Sequence, residues 1–205
     1  MEKTITTQKK TSVQSVRTLT MIAVLSAISF ILAFFEFPVP LSPSFARLDL
    51  SDLPALIGAF AYGPASGVLI ELVKNVLQLF TSATGGIGEL ANFIMGSSFA
   101  AAAGLIYRSH KTKKTAMLAC LAASIVMGIM AAVVNYFLLL PAFEAFMPLD
   151  QLINSFEEFI PFIKTKLDVV LFNAFPFNLL KGIGISIVTM LLYKRLTPIL
   201  KGSQK

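Results

Sequence analysis

Lys181 sits about twelve residues into the apolar stretch 169–193, which at 1.5 Å per residue is roughly 18 Å below the end of a helix. An ionisable group at the centre of a bilayer helix costs about 2.5–3.5 kcal/mol on insertion scales, so one that persists faces a bundle interior and has a task there. Asn178 precedes it by three residues and shares its helix face. Pro176 bends the same helix above them, while Gly182 and Gly184 let a neighbour approach below. Asn135, about five residues from the outer end of the preceding apolar stretch, lies at a depth from which its amide reaches the same space.

Glu89 and Asn92 repeat the three-residue spacing on another helix. They follow Thr84-Gly85-Gly86-Ile87-Gly88, and Gly85 and Gly86 allow a tight backbone and close approach to a ligand. Ammonium, amides and carboxylate, with Phe45, Phe137, Phe172 and Phe177 as wall residues, suit a planar heteroaromatic guest whose edge the amides read and whose faces the rings cover. The competing reading pairs Lys181 with Glu89 or Asp168 merely to join helices; the binding role is favoured over it.

Other polar groups carry weaker signals. Glu71, Lys74, Asn75 and Gln78 are spaced i, i+3, i+4 and i+7 and form one stripe, read as mutually neutralised packing. The proline-rich segment 38–52 is either a lid over the cavity or a rigid connector. Ala23 and Ala27 form a small-xxx-small pair that lets helices meet closely. His110 and Cys120 are each the sole residue of their type, so neither a histidine metal site nor an internal disulfide is expected. The phosphate loop G-x-x-x-x-G-K-[ST], H-E-x-x-H, G-x-S-x-G and Cys-x-x-Cys do not occur, which removes the common nucleotide, protease, hydrolase and redox signatures.

The elements that must hold these groups are membrane helices. The chain is 56% hydrophobic and 14% charged, and its apolar residues run in blocks of spanning length at 18–37, 90–107, 116–140 and 169–193. Twelve of its seventeen Lys and Arg fall in residues 1–17, 108–114 and the tail from Lys194, while ten of its eleven acids lie elsewhere. Cytoplasmic loops are enriched in Lys and Arg, so both termini and the loop 108–114 are expected inside. The net charge of +6 is thereby assigned to topology and anionic headgroups, with no nucleic acid as partner. The polar start and long first apolar block argue for a retained first span and against a cleaved signal. Tyr62, Tyr107, Tyr136 and Tyr193 are placed near helix ends as interfacial anchors.

Tyr62-Gly63-Pro64 divides the region 51–80 into two short helices, about 51–62 and 65–80. If both cross there are six spans, and if they form a hairpin there are four; six is favoured, giving outer segments 38–50, 81–88 and 142–168. The expectation is an all-α polytopic bundle: a basic cytoplasmic segment 1–17, one six-helix transmembrane domain 18–196, and a cytoplasmic tail 197–205.

Leu48-Asp49-Leu50-Ser51-Asp52-Leu53-Pro54, Phe60-Ala61-Tyr62-Gly63-Pro64, Glu71-Leu72-Val73-Lys74-Asn75, Thr84-Gly85-Gly86-Ile87-Gly88-Glu89-Leu90-Ala91-Asn92-Phe93 and Asn178-Leu179-Leu180-Lys181-Gly182 together resemble the riboflavin-specific S-components of energy-coupling factor (ECF) vitamin transporters. The resemblance implies a non-catalytic, multi-pass subunit of the cell membrane that binds riboflavin from outside. It places ring contacts on Asn135, Asn178 and Lys181, and further contacts on Phe45, Gly85, Gly86 and Glu89, to which the spacing adds Asn92. It also implies that Ala23 and Ala27 dock a transmembrane coupling protein (EcfT-like), with two ABC-type ATPase subunits supplying energy; no cofactor is implied, since riboflavin is cargo. The alternative is a stand-alone secondary transporter of a small heteroaromatic solute, for which Glu71 and Lys74 are the candidate coupling groups.

Overall fold

The computed structural model describes residues 2–38, 47–146 and 148–202. Its first helix, α1 (Glu2–Leu32), ends ahead of Pro38, and the chain turns into a two-residue strand, β1 (Phe37–Pro38). The residue before a proline is biased to extended backbone, which suits Phe37 for this role. β1 pairs antiparallel with β2 (Arg47–Leu48), Phe37 opposite Leu48 and Pro38 opposite Arg47. Among the described residues this ladder is the only departure from helix, turn and coil.

Two short helices follow, α2 (Asp52–Tyr62) and α3 (Pro64–Gln78), separated at Gly63 as the sequence predicts. Gly63 adopts φ 101°, a left-handed conformation that favours glycine, and Pro64 starts the next helix where its missing N–H costs nothing. A 3₁₀ turn (Leu79–Thr81) leads to the glycine-rich loop and α4 (Ile87–Ser109). α5 (Lys113–Val134) is capped by Thr112, whose hydroxyl accepts from Thr115 N–H at 3.1 Å. A π-helical turn (Asn135–Leu139) joins α5 to α6 (Leu140–Glu144) without a break in the rod. The segment 142–168 contains α7 (Leu149–Glu157), which the spans do not foretell. Thr165 and Asp168 form a reciprocal capping box at α8 (Lys166–Val169), and a second π-helical turn (Val170–Ala174) runs into α9 (Phe175–Gly202).

Among the described residues, three helical rods are long and apolar enough to cross a membrane: Ile87–Ser109, Lys113–Glu144 and Lys166–Leu192. Val16–Leu32 and Asp52–Tyr62 are shorter apolar helices, and α3 carries the polar stripe. α2 is the centre of the bundle, packed against α1, α3, α4 and α9. All its residues except Ile57 and Tyr62 are buried, so it needs apolar or small residues on every side. Gly67 explains how tightly its neighbour fits: a Cβ there would lie 2.8 Å from Ala59 Cβ and 2.9 Å from Ala100 Cβ. Near the α2–α3 turn, the Phe60 and Tyr107 rings pack with centroids 4.4 Å apart, within a core that includes Leu56, Phe99, Met127 and Ile185.

Candidate functional site

A cavity of about 340 Å³ opens where α4 and α9 begin and α3 and α5 end. Its lining includes Asn135, Asn178, Lys181, Glu89 and Asn92, so five of the eight binding residues read from the sequence converge. Phe177 forms part of the wall. Phe137 and Phe172 are instead exposed on the bundle surface, the latter edge-on to Phe162, and Phe45 lies outside the described residues. Gly85 and Gly86 are not among the lining residues; Thr84 and Gly88 are.

The glycine loop has a structural logic of its own. Gly85 and Gly86 hold φ of 64° and 94°, which bends the chain around the Ser82 hydroxyl. That oxygen accepts from Thr84 N–H at 3.2 Å and Gly86 N–H at 3.0 Å, then donates to Glu89 Oε2 at 2.8 Å. Thr84 Oγ1 accepts from Gly88 N–H and donates to the same carboxylate oxygen at 3.1 Å. The loop therefore fixes Glu89 at the cavity edge, in the first turn of α4 where the helix dipole favours an anion.

The two amides are aimed by a shared device. Proline cannot donate to the carbonyl four residues back, and its ring crowds that turn. Pro141 and Pro176 each follow the last residue of a π-helical turn by two positions, so in both rods the backbone widens just ahead of the proline. Asn135 opens one such turn and Asn173 lies in the other; the two turns touch each other, and both asparagines line the cavity. Single π turns inside α-helices recur at functional sites because they re-aim side chains. Asn135 Nδ2 donates to Ala131 O at 2.8 Å and Asn178 Nδ2 to Ala174 O at 3.0 Å, which leaves each Oδ1 and the second Nδ2 hydrogen to a guest.

Lys181 does pair with carboxylates, although with neither Glu89 nor Asp168. Its Nζ lies 3.1 Å from Asp49 Oδ2 and 3.0 Å from Asp52 Oδ2, the second contact an ion pair outside hydrogen-bonding alignment. Asp52 Oδ1 in turn receives Lys74 Nζ at 2.6 Å, and Lys74 reaches Glu71 Oε2 at 2.6 Å and Ser51 Oγ at 3.1 Å. Asp52, Glu71 and Lys74 are at most 1% exposed. The stripe on α3 is therefore more than local neutralisation: it buttresses the groups that hold Lys181 beside the cavity. Alternation of charge along this chain matters, because a buried charge without partners is strongly destabilising.

Two further lining groups escaped the sequence reading. Gln78 faces the cavity with a buried Oε1 that has no hydrogen-bond partner. Phe156 comes from α7, whose Leu152, Ile153 and Phe156 pack on Leu140, Ile163, Val169 and Val170. The i, i+3, i+4, i+7 spacing of Leu149, Leu152, Ile153 and Phe156 is the signal that would have found this helix.

Apolar rods of membrane-spanning length around an amide-lined, ammonium-bearing cavity define a membrane component that holds a small solute. The family described as "ECF transporter, substrate-specific component" matches residues 17–193, and the chain belongs to it. It is 37% identical over 95% of its length to the "Riboflavin transporter RibU" of Staphylococcus aureus (strain TCH60), of which 97% is covered. It is 33% identical over 89% of its length to the "Riboflavin transporter FmnP" of Bacillus subtilis (strain 168), of which 93% is covered. The solved chain described as "Structure and mechanism of the S component of a bacterial ECF transporter" superposes with a TM-score of 0.74 at 36% identity, covering 91% of this chain and 99% of that one. This protein is accordingly a multi-pass transport component of the cell membrane and not an enzyme.

Proposed function

We propose that this subunit captures riboflavin from outside the cell and yields it inward when an EcfT-like transmembrane coupling protein and two ABC-type ATPase subunits reorient it. The observation that carries this reading is the cavity itself: acceptor oxygens of Asn135 and Asn178 beside the Lys181 ammonium offer complementary partners to the ring N–H and carbonyl groups of an isoalloxazine. Phe177 and Phe156 supply apolar surface for its faces. Asn92, Glu89 and Gln78 remain for the hydroxylated chain, and Gly85 and Gly86 belong to a segment that borders the guest.

The direction of access follows from charge. Thr84, Gly88, Glu89, Ala91, Asn92 and Met95 line the cavity at the start of α4, whereas Arg108, Lys111, Lys113 and Lys114 lie at or beyond its end. The positive-inside tendency puts the latter in the cytoplasm and the cavity at the outer face. A Cβ on Gly104 would lie 2.9 Å from Pro64 Cα, which sets the α2–α3 turn at the same cytoplasmic end. This supports six crossings within a domain 18–196, with α2 and α3 at about 17 and 23 Å as short spans. The basic segment 1–17 and the tail 197–205 then both face inward. Ala23 and Ala27 are exposed on α1 while Ile22, Ser26 and Ser29 turn inward, leaving a small-residue face for the coupling protein.

The test is purification followed by titration with riboflavin, read as quenching of flavin fluorescence. Saturable one-to-one quenching is expected, and its absence would end the proposal. Riboflavin uptake by vesicles containing this chain without the ATPase subunits would favour the secondary-transporter reading instead.

A further inference from the structure

The structure assigns a second binding site, a cleft between the cytoplasmic halves of α5 and α9 that takes one acyl chain of an anionic glycerophospholipid, with Lys113 holding the headgroup. The cleft has a volume of about 440 Å³ and is lined by Met117 and Leu121 on one wall and Ile183, Ile187 and Leu191 on the other. Its cause is a crossing point. A Cβ on Gly182 would lie 2.9 Å from Ser124 Oγ and 3.0 Å from Ser124 Cα, so the two rods touch there. Closer to the cytoplasmic end the walls are built of larger apolar side chains, several of them exposed to the lipid: Met117 is 54%, Leu121 56%, Ile187 56% and Leu191 76% exposed.

The floor accepts hydrocarbon and offers nothing to a polar guest. Ser124 Oγ donates to Cys120 O at 2.9 Å and Ser186 Oγ to Gly182 O at 2.6 Å, so both hydroxyls on the floor are already satisfied by their own helices. The one charged lining residue is Lys113 at the mouth, which has no ion-pair partner among the described residues. A guest must therefore be apolar along its length and anionic at one end.

Dimensions choose the occupant. From Lys113 to Ser124 the cleft runs about 17 Å along α5, close to half of a hydrocarbon core of about 30 Å, so it spans one leaflet. Spread over that length its volume describes a narrow groove along the helix axis, the shape of an extended hydrocarbon chain. The leaflet is the cytoplasmic one under the topology proposed above, and the site is otherwise independent of which solute occupies the outer cavity.

The experiment is native mass spectrometry of the full chain in detergent, with phosphatidylglycerol and phosphatidylcholine of matched chains added in equal amounts. One phosphatidylglycerol is expected to be retained about fivefold over phosphatidylcholine, the increment one lysine contributes at an anionic headgroup. Lys113→Gln should erase that preference, and Ile187→Trp, which fills the cleft from an exposed position, should abolish retention of both lipids. Glycerol phosphate, a headgroup without chains, should not compete. Equal retention of the two lipids by the unaltered chain, unchanged phosphatidylglycerol retention in the Ile187 variant, or competition by glycerol phosphate would each overturn the site. Thermal unfolding measured on the same samples reports whether the variants are folded, and riboflavin quenching decides the outer-cavity reading separately.

Discussion

Lys181 and Asp49, 132 residues apart in the chain, meet at 3.1 Å beside the cavity. Asp49 directly follows the strand β2, and Lys181 lies in α9, so one ion pair ties the segment after β2 to a membrane helix. The same ammonium reaches Asp52 on α2, and Asp52 reaches Lys74 on α3. Three carboxylates and two ammonium groups thus bind four parts of the chain into one frame, and one of the two ammonium groups borders the cavity.

Lys74 and Lys181 share Asp52 but only Lys181 lines the cavity, and this contrast separates stability from binding. Lys74→Met should cost about 3–5 kcal/mol of stability by leaving Asp52 and Glu71 less compensated. Lys181→Ala should also destabilise, and should in addition weaken flavin binding by about 1.5–3 kcal/mol, roughly 10- to 150-fold, for the lost charge-assisted hydrogen bond. Lys181→Arg keeps the charge and should recover stability more fully than affinity, since a planar fork cannot replace a point donor in a shaped cavity. Thermal unfolding in detergent and flavin titration of the folded fraction check the three variants; equal affinity loss at Lys74 and Lys181 would contradict the division.

Gln78 offers the cavity an acceptor, because its Oε1 is buried and receives no hydrogen bond from the described residues. A buried unsatisfied acceptor costs about 1–3 kcal/mol. Gln78→Met keeps the volume and removes the acceptor, so it should raise the unfolding temperature of the empty protein while lowering flavin affinity. The gain in one and the loss in the other, measured on the same preparation, would identify Gln78 as a group satisfied by the guest. A variant with unchanged affinity would assign its oxygen to water instead.

The membrane bundle was legible because its signals are local: long apolar blocks, clustered cations, and Gly63-Pro64 between short helices. Convergence of Lys181, Asn178, Asn135, Glu89 and Asn92 was legible too, since the cost of burying each group in lipid demands a shared interior. The partners of Lys181 were not. Asp49 and Asp52 sit in a segment whose spacing reads equally as lid or connector, and only the descent of that segment into the bundle brings them to α9. Nor could the sequence distinguish a proline kink from a π turn, because the same missing hydrogen bond at Pro141 or Pro176 permits either. Gly85 and Gly86 were read as room for a ligand, whereas their left-handed backbone is demanded by the turn that aims Glu89.

Ala23 and Ala27 test whether the outward face of α1 serves the transporter and not the bundle. Both are exposed, one turn apart, while Ile22 and Ser26, each one residue before them, are at most 7% exposed and pack inward. Ala23→Leu therefore adds volume where the bundle has no neighbour to displace, and it should leave unfolding temperature and flavin affinity within about 0.5 kcal/mol of the parent. A coupling helix seated on small residues would be held off by the added side chain, so uptake in vesicles carrying the complete set of partners should fall by tenfold or more. Ile22→Ala provides the opposite pattern: it removes buried volume facing Ala55, Ala59 and Ile70, should cost about 2–5 kcal/mol, and should leave the outward face intact. Normal uptake in the Ala23 variant, with the protein folded and flavin bound, would place the coupling surface on another helix.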